Sequence, residues 1–139
     1  MEITVKVRDA MDRDVVFIDS KKTVIDALHE MIRNNVWSIV VKKGGLPEGV
    51  VTERDILRKC ILKEFAPELM QVEEIMSSPL ITIDPEKPIG EAMKLMVEKS
   101  IRRVYAIENG KILGRVTQTR AFRYILDALM TLWSIPYQL

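Results

Sequence analysis

One cysteine and one histidine are all that this chain of 139 residues holds of the side chains that build disulfide frameworks, zinc clusters and His-dependent active sites. Cys60 falls with Ile56, Leu57 and Ile61 on an apolar helix face, the setting of a buried, unreactive thiol. His29 falls on the polar side of an amphipathic stretch and reads as a surface residue. No P-loop, no Gly-x-Ser-x-Gly and no metal-ligand spacing occurs. An enzyme would therefore lack its chemistry, and neither a metal nor a cofactor is expected.

Excess charge of either sign is also missing, with 21 basic against 20 acidic residues, so there is no broad attraction towards nucleic acid or anionic lipid. Lys42-Lys43 and Arg102-Arg103 make only small basic patches, and three phenylalanines do not build a base-stacking platform. No apolar run reaches the roughly 18 residues of a membrane span, and the first six residues are charged and alternating. A cytoplasmic chain without membrane contact is the expectation. Hydrophobic residues at 47% and charged residues at 29% are those of an ordinary globular domain.

What the chain does have is an internal repeat. Laying Val7 on Val72 aligns the sequence with itself, without a gap, as far as Cys60 on Ile125. Val7, Met11, Ile18, Asp19, Ala27, Met31, Gly45, Gly49, Val51, Thr52 and Arg58 then meet identical residues. Val24, Ala27, Leu28, Met31 and Ile32 follow helical spacing, and Ile89, Ala92, Met93, Met96 and Val97 repeat it in register. Two halves this short bury too little surface to stand alone, so they are expected to share a core.

Residues 1–6 alternate apolar and polar and could add an edge strand. A helical turn at 7–11, extended chain at 14–18, a helix over 22–34, a hairpin turning at Gly44-Gly45 and a helix over 52–65 complete the first unit. The expected division is unit 1 at 1–66, a linker at 67–71 and unit 2 at 72–139. Unit 2 repeats the series with a helix over 89–99 and a hairpin turning at Asn109-Gly110. Its last helix starts near Thr117 and carries Phe122, Ile125, Leu126, Leu129, Leu132 and Trp133. Folding back on its own domain or packing on a second protomer would each cover that apolar tail from Thr131 on.

The joint between the last strand and last helix is Gly49-Val50-Val51-Thr52-Glu53-Arg54-Asp55 in one unit and Gly114-Arg115-Val116-Thr117-Gln118-Thr119-Arg120 in the other. Thr52 with Asp55 has the form of a capping box, whose hydroxyl and carboxylate satisfy first-turn amides. The same groups at a helix start can also face a polar ligand.

This joint, the lead segment Asp9-Ala10-Met11, the Ile18-Asp19 step and the tandem arrangement resemble a pair of CBS (cystathionine-β-synthase-type) domains, a Bateman module. The resemblance covers residues 7 to about 130. It implies an α+β fold of two tandem β-α-β-β-α units related by a pseudo-two-fold axis and sharing one core. It also implies a homodimer and a regulatory sensor that binds AMP, ADP or ATP in the cleft between the repeats and acts on a separate regulated protein.

By the same resemblance Thr52 and Asp55 hold the ribose, and Asp14, Val15, Val16, Trp37, Ser38 and Ile39 line the adenine. Arg102 and Arg103 reach the phosphates, with Arg54 and Arg120 as further phosphate candidates. The repeats are unequal. Arg120 replaces the motif aspartate and has only hydrogen-bond donors, whereas Trp37 and Ser38 stand where the second repeat has Arg102 and Arg103. Both losses fall on one site, so one nucleotide per chain is expected. A structural or partner-binding module with a decayed site, an S-adenosylmethionine site and a nucleic-acid binder are the alternatives; the arginines favour phosphate.

Overall fold

Chain of β-branched residues flanked by glycine and asparagine turns becomes two three-stranded sheets in the computed structural model, which describes residues 5–134. In the first repeat β1 (Phe17–Asp19) leads to α2 (Val24–Arg33), then β2 (Ser38–Lys43), β3 (Leu46–Thr52) and α3 (Glu53–Ile56). The second has β4 (Thr82–Ile83), α4 (Ile89–Lys99), β5 (Arg103–Glu108), β6 (Lys111–Thr117) and α5 (Gln118–Trp133). A short lead helix, α1 (Val7–Ala10), precedes the first repeat, and a 3₁₀ turn, Val72–Glu74, precedes the second. In each sheet the first strand pairs parallel with the second, and the second pairs antiparallel with the third. This is the expected α+β order, β-α-β-β-α twice.

The local signals act as chemistry requires. Thr23 caps α2 by accepting from the Asp26 amide at 3.2 Å, and Asp26 returns the bond to the Thr23 amide at 3.1 Å. Gly44 and Gly45 turn the first hairpin, and Asn109 and Gly110 the second, all at positive φ. Met31 and Met96, on the apolar faces of α2 and α4, are buried as their spacing predicts. Cys60 is buried, and burial pushes its thiol pKa up.

One expectation is corrected, and two readings concern the ends of the chain. The helix expected over 52–65 is α-helical only to Ile56 and continues as a π-helical turn, Leu57–Ile61, closed by Leu62 N–H on the Leu57 carbonyl at 2.9 Å. The strand expected at 1–6 lies mostly outside the described residues; Lys6 makes a bridge with Pro88. On α5, Phe122, Leu126, Leu129, Leu132 and Trp133 remain exposed, so the described part of the tail does not fold back on its own unit.

The compact units differ from the sequence repeats. One is Asp14–Ile81; the other joins the segment ending at Arg13 to the segment beginning at Thr82. Each lead segment thus packs on the sheet of the other repeat. In the first unit Val72 and Ile75 enter a core with Ile18, Val24, Met31, Ile39, Val41, Val51, Ile56 and Cys60. In the second, the Val7 and Arg8 amides donate to the carbonyls of Lys87 and Pro85 at 2.8 and 2.9 Å, and Val7 is fully buried. Burying one such valine contributes about 1.5–3 kcal/mol.

The lead backbone comes very close to the sheet. Ser77 exchanges hydrogen bonds with Val50 at 2.8 and 3.0 Å, and Asp12 exchanges two with Arg115, both 2.8 Å. A Cβ on Gly49 would lie 2.6 Å from the Ser77 carbonyl oxygen, and one on Gly114 would lie 2.7 Å from that of Asp12. Glycine is required at both motif positions for this reason.

Charges match each lead segment to its sheet. Arg8 pairs with Glu86 at 2.8 Å and Glu108 at 2.6 Å, whereas Glu73, its counterpart in the repeat, pairs with Lys21 at 2.6 Å and Lys43 at 3.5 Å. Lys21 and Lys43 are themselves the counterparts of Glu86 and Glu108. The sign of every member is inverted. Docking a lead segment on its own repeat would set Arg8 against two lysines and Glu73 against two glutamates, so the charges favour the exchanged arrangement.

Two measurements check this architecture. Gly49→Ala should lose about 1–3 kcal/mol in urea unfolding, because backbone must move, whereas Gly90→Ala in α4, with open space around it, should gain about 0.5–1 kcal/mol. Hydrogen bonds and attraction from Lys21 hold Glu73 below its usual 4.5, and Lys6 and Arg8 do the same for Glu86. Folded values below unfolded ones mean stability that is complete above about 4.5 and lost as pH falls through the folded values. A Glu73→Gln/Glu86→Gln variant should therefore lose less stability than the parent between about pH 5 and pH 3.

Candidate functional site

Asp55 is the residue on which the first repeat's motif converges. β3 ends at Thr52, which lies opposite Ser38 on β2. Thr52 keeps an extended backbone and accepts the Asp55 amide on its Oγ1 at 3.2 Å. Asp55 Oδ2 accepts from the Thr52 amide at 3.0 Å and from the Thr52 hydroxyl at 3.2 Å. The capping box read from sequence is present.

The other carboxylate oxygen is also occupied. Asp55 Oδ1 accepts the Ser77 hydroxyl at 3.0 Å and pairs with Lys59 Nζ at 3.0 Å. A carboxylate offers about four lone-pair positions, and here four donors are directed at them. Asp55 is only 7% exposed, so each of those donors offsets the cost of removing its charge from water. Lys59 and Ser77 were not among the sequence candidates. The i,i+4 spacing of Asp55 and Lys59 was a legible signal, but Ser77 reaches Asp55 only through the docking of the lead segment.

The remaining candidates of this unit lie around the same strand ends. Val16 carbonyl accepts the Val40 amide at 2.9 Å, which sets the extended 14–16 segment beside β2. Val15 and Val16 are half-buried and Asp14 exposed. Ser38 and Ile39 are buried, whereas Trp37 is 61% exposed and its carbonyl accepts the Glu53 amide at 3.2 Å. Arg54 is exposed beside Asp55. A separate groove of about 320 Å³, lined by Phe17, Asp19, Asp26 and His29 among others, contains none of the ligand candidates, and His29 is exposed as expected.

The second unit holds the other arginines. Arg102 is exposed, with its carbonyl accepting the Gln118 amide at 2.8 Å, as Trp37 does for Glu53. Arg103 is half-buried and lies opposite Thr117. Arg120, in the place of the motif aspartate, gives its amide to Thr117 Oγ1 at 3.1 Å and its Nε–H to the Ala10 carbonyl at 2.8 Å. It thus ties down the end of α1 and supplies no acceptor at the position that Asp55 fills in the first unit. Among the described residues no cluster of metal ligands occurs, and no helix is long and apolar enough to cross a membrane.

A model of the CBS domain matches residues 7–61 and again residues 72–127. The chain belongs to the CBS domain family. It is a tandem CBS pair, a Bateman module, and both repeats match over nearly their full length, so Arg120 is a local change within an intact repeat. It is similar to MK0525 of Methanopyrus kandleri, 34% identical over 82% of this chain and 59% of the relative. It is 37% identical to the mitochondrial CBS domain-containing protein CBSX3 of Arabidopsis thaliana over 68% of this chain and 48% of that one. The chain spans about half the length of these curated relatives. Among solved structures it is similar to the hexameric CBS-CP12 protein of bloom-forming cyanobacteria, with 28% identity, a TM-score of 0.81 and coverage of 87% of this chain and 68% of that one.

The two motif threonines differ in a way that unfolding can measure. Thr52→Ala removes an N-cap that works reciprocally with Asp55 and should cost about 1 kcal/mol in urea. Thr117→Ala removes a cap with no reciprocal partner and should cost less.

Proposed function

We propose that this CBS pair is a regulatory ligand-sensing module that binds one adenosine nucleotide, AMP, ADP or ATP, per chain. The observation that carries the reading is the buried carboxylate of Asp55 in the first turn of α3, facing a hydroxyl residue, in one repeat only. In this reading Thr52 and Asp55 take the ribose. Segment 14–16 with Ser38 and Ile39 takes the adenine, and exposed Trp37 has a free aromatic face for stacking. Arg102 and Arg103 take the phosphates, with Arg54 beside the motif as an additional donor. Arg120 is a weaker phosphate candidate, since its Nε already serves Ala10. The arginines favour phosphate over the sulfonium and amino acid of S-adenosylmethionine.

A second reading draws on one observation. Four donors already satisfy Asp55, as they would in a structural or partner-binding module whose site has decayed. Binding separates the two. The regulated partner is unknown in either case, and the exposed apolar residues of α5 support a homodimer, as does the hexameric state of the similar CBS-CP12 protein.

Titration calorimetry with AMP, ADP, ATP, S-adenosylmethionine and adenosine is the direct test. One adenosine nucleotide per chain is expected. Asp55→Asn, which keeps the side chain's shape, should weaken every adenosine ligand about tenfold to hundredfold, as for hydrogen bonds to a charged group. Arg103→Ala should weaken the nucleotides and leave adenosine nearly unchanged. Absence of binding to the unmodified chain would leave the partner-binding reading standing.

A further inference from the structure

We infer that Lys59 and Ser77 form a latch on the Asp55 carboxylate that a ribose diol must open, so that these two residues set the affinity of the site and its preference for a cis-diol. The inference rests on the nucleotide reading above. The two oxygens of Asp55 are not equivalent. Oδ2 is committed to the Thr52 amide and hydroxyl, which hold the start of α3. Oδ1 is held by side chains alone, the Ser77 hydroxyl and the Lys59 ammonium. Only Oδ1 can be released without disturbing backbone.

Both latch members can let go at low cost. The Ser77 backbone is fixed on Val50, so its hydroxyl need only rotate. Lys59 has a side chain 42% exposed, and its ammonium also donates to the Ile75 carbonyl at 3.1 Å, which holds it near the carboxylate. Water can take over its charge on release. The incoming diol brings two O–H donors, so opening both latch members balances only for a ligand with both hydroxyls. A 2′-deoxy ligand that displaces both members leaves a buried acceptor one partner short.

A second observation places the latch in one repeat only. Lys59 lies within the π-helical turn Leu57–Ile61, an irregularity common at functional positions, whereas its counterpart Tyr124 lies within regular α5. The counterpart of Ser77 is Asp12, and that of Asp55 is Arg120. The donor pair and the carboxylate occur together.

Calorimetry with adenosine and 2′-deoxyadenosine on the full chain, its Lys59→Met and its Ser77→Ala variants tests this. Adenosine has no phosphate, so any role of Lys59 at a phosphate does not enter. Lys59→Met should bind adenosine about threefold to tenfold more tightly, a released ion pair discounted for its exposure, and should discriminate less against the deoxy ligand. Ser77→Ala should act in the same direction. Unchanged or weaker adenosine binding by Lys59→Met would overturn the latch while leaving the nucleotide reading intact. No binding of adenosine, AMP, ADP or ATP by any of the three proteins would overturn the nucleotide reading and the gating with it. A urea double-mutant cycle of Lys59→Met and Asp55→Asn supplies the arm without ligand: coupled losses support the contact, and additive losses overturn it.

Discussion

The contact on which the rest of this structure depends is the approach of two lead segments to the strands that carry the motif glycines. At Val50 and Ser77, and again at Arg115 and Asp12, paired backbone hydrogen bonds leave no room for a Cβ. Backbone donors buried at such a joint need partners, and the joint supplies them. It also sets Ser77 within reach of Asp55, and it sets the Ala10 carbonyl within reach of Arg120. The two motif positions therefore acquire their partners from lead segments and not from the motif itself.

Duplicated sequences face an ambiguity, since each lead segment has two similar sheets on which to dock. Backbone bonds and valines discriminate poorly, because both sheets offer nearly the same surface. The inverted sets Arg8, Glu86, Glu108 and Glu73, Lys21, Lys43 provide the discrimination. Exposed ion pairs contribute little to stability, but a wrong docking would juxtapose like charges in both units at once. Asp12 adds to this: on its own repeat it would meet Asp55, whereas here it pairs with Arg115 at 3.4 Å.

Local features of the fold were legible because local physics determines them. The spacing of Val24, Ala27 and Met31, the cap at Thr23 and the turns at Gly44-Gly45 and Asn109-Gly110 each act over a few residues, and each stands where the sequence puts it. The site was legible in its motif residues. Its surroundings were legible only in part, since Lys59 stands at i,i+4 from Asp55 whereas Ser77 is brought there by a contact between distant segments. Even the capping box at Thr52 gave only half of the Asp55 environment. The π turn has no propensity signal in Leu57-Arg58-Lys59-Cys60-Ile61; helical periodicity reads that stretch as ordinary α-helix.

The exchange of lead segments also bears on the order in which a growing chain can be completed. Asp14–Ile81 is continuous in sequence, so its sheet, α2 and the turn that docks on β3 are all available once that stretch has left the ribosome. Residues 7–12 are synthesised before any of it, yet the backbone that receives Asp12 is Arg115 on β6. Val7, which ends fully buried, cannot donate to the Lys87 carbonyl until the second repeat has been made. Residues 7–12 are therefore translated before the strand that receives them and can dock only once it is present.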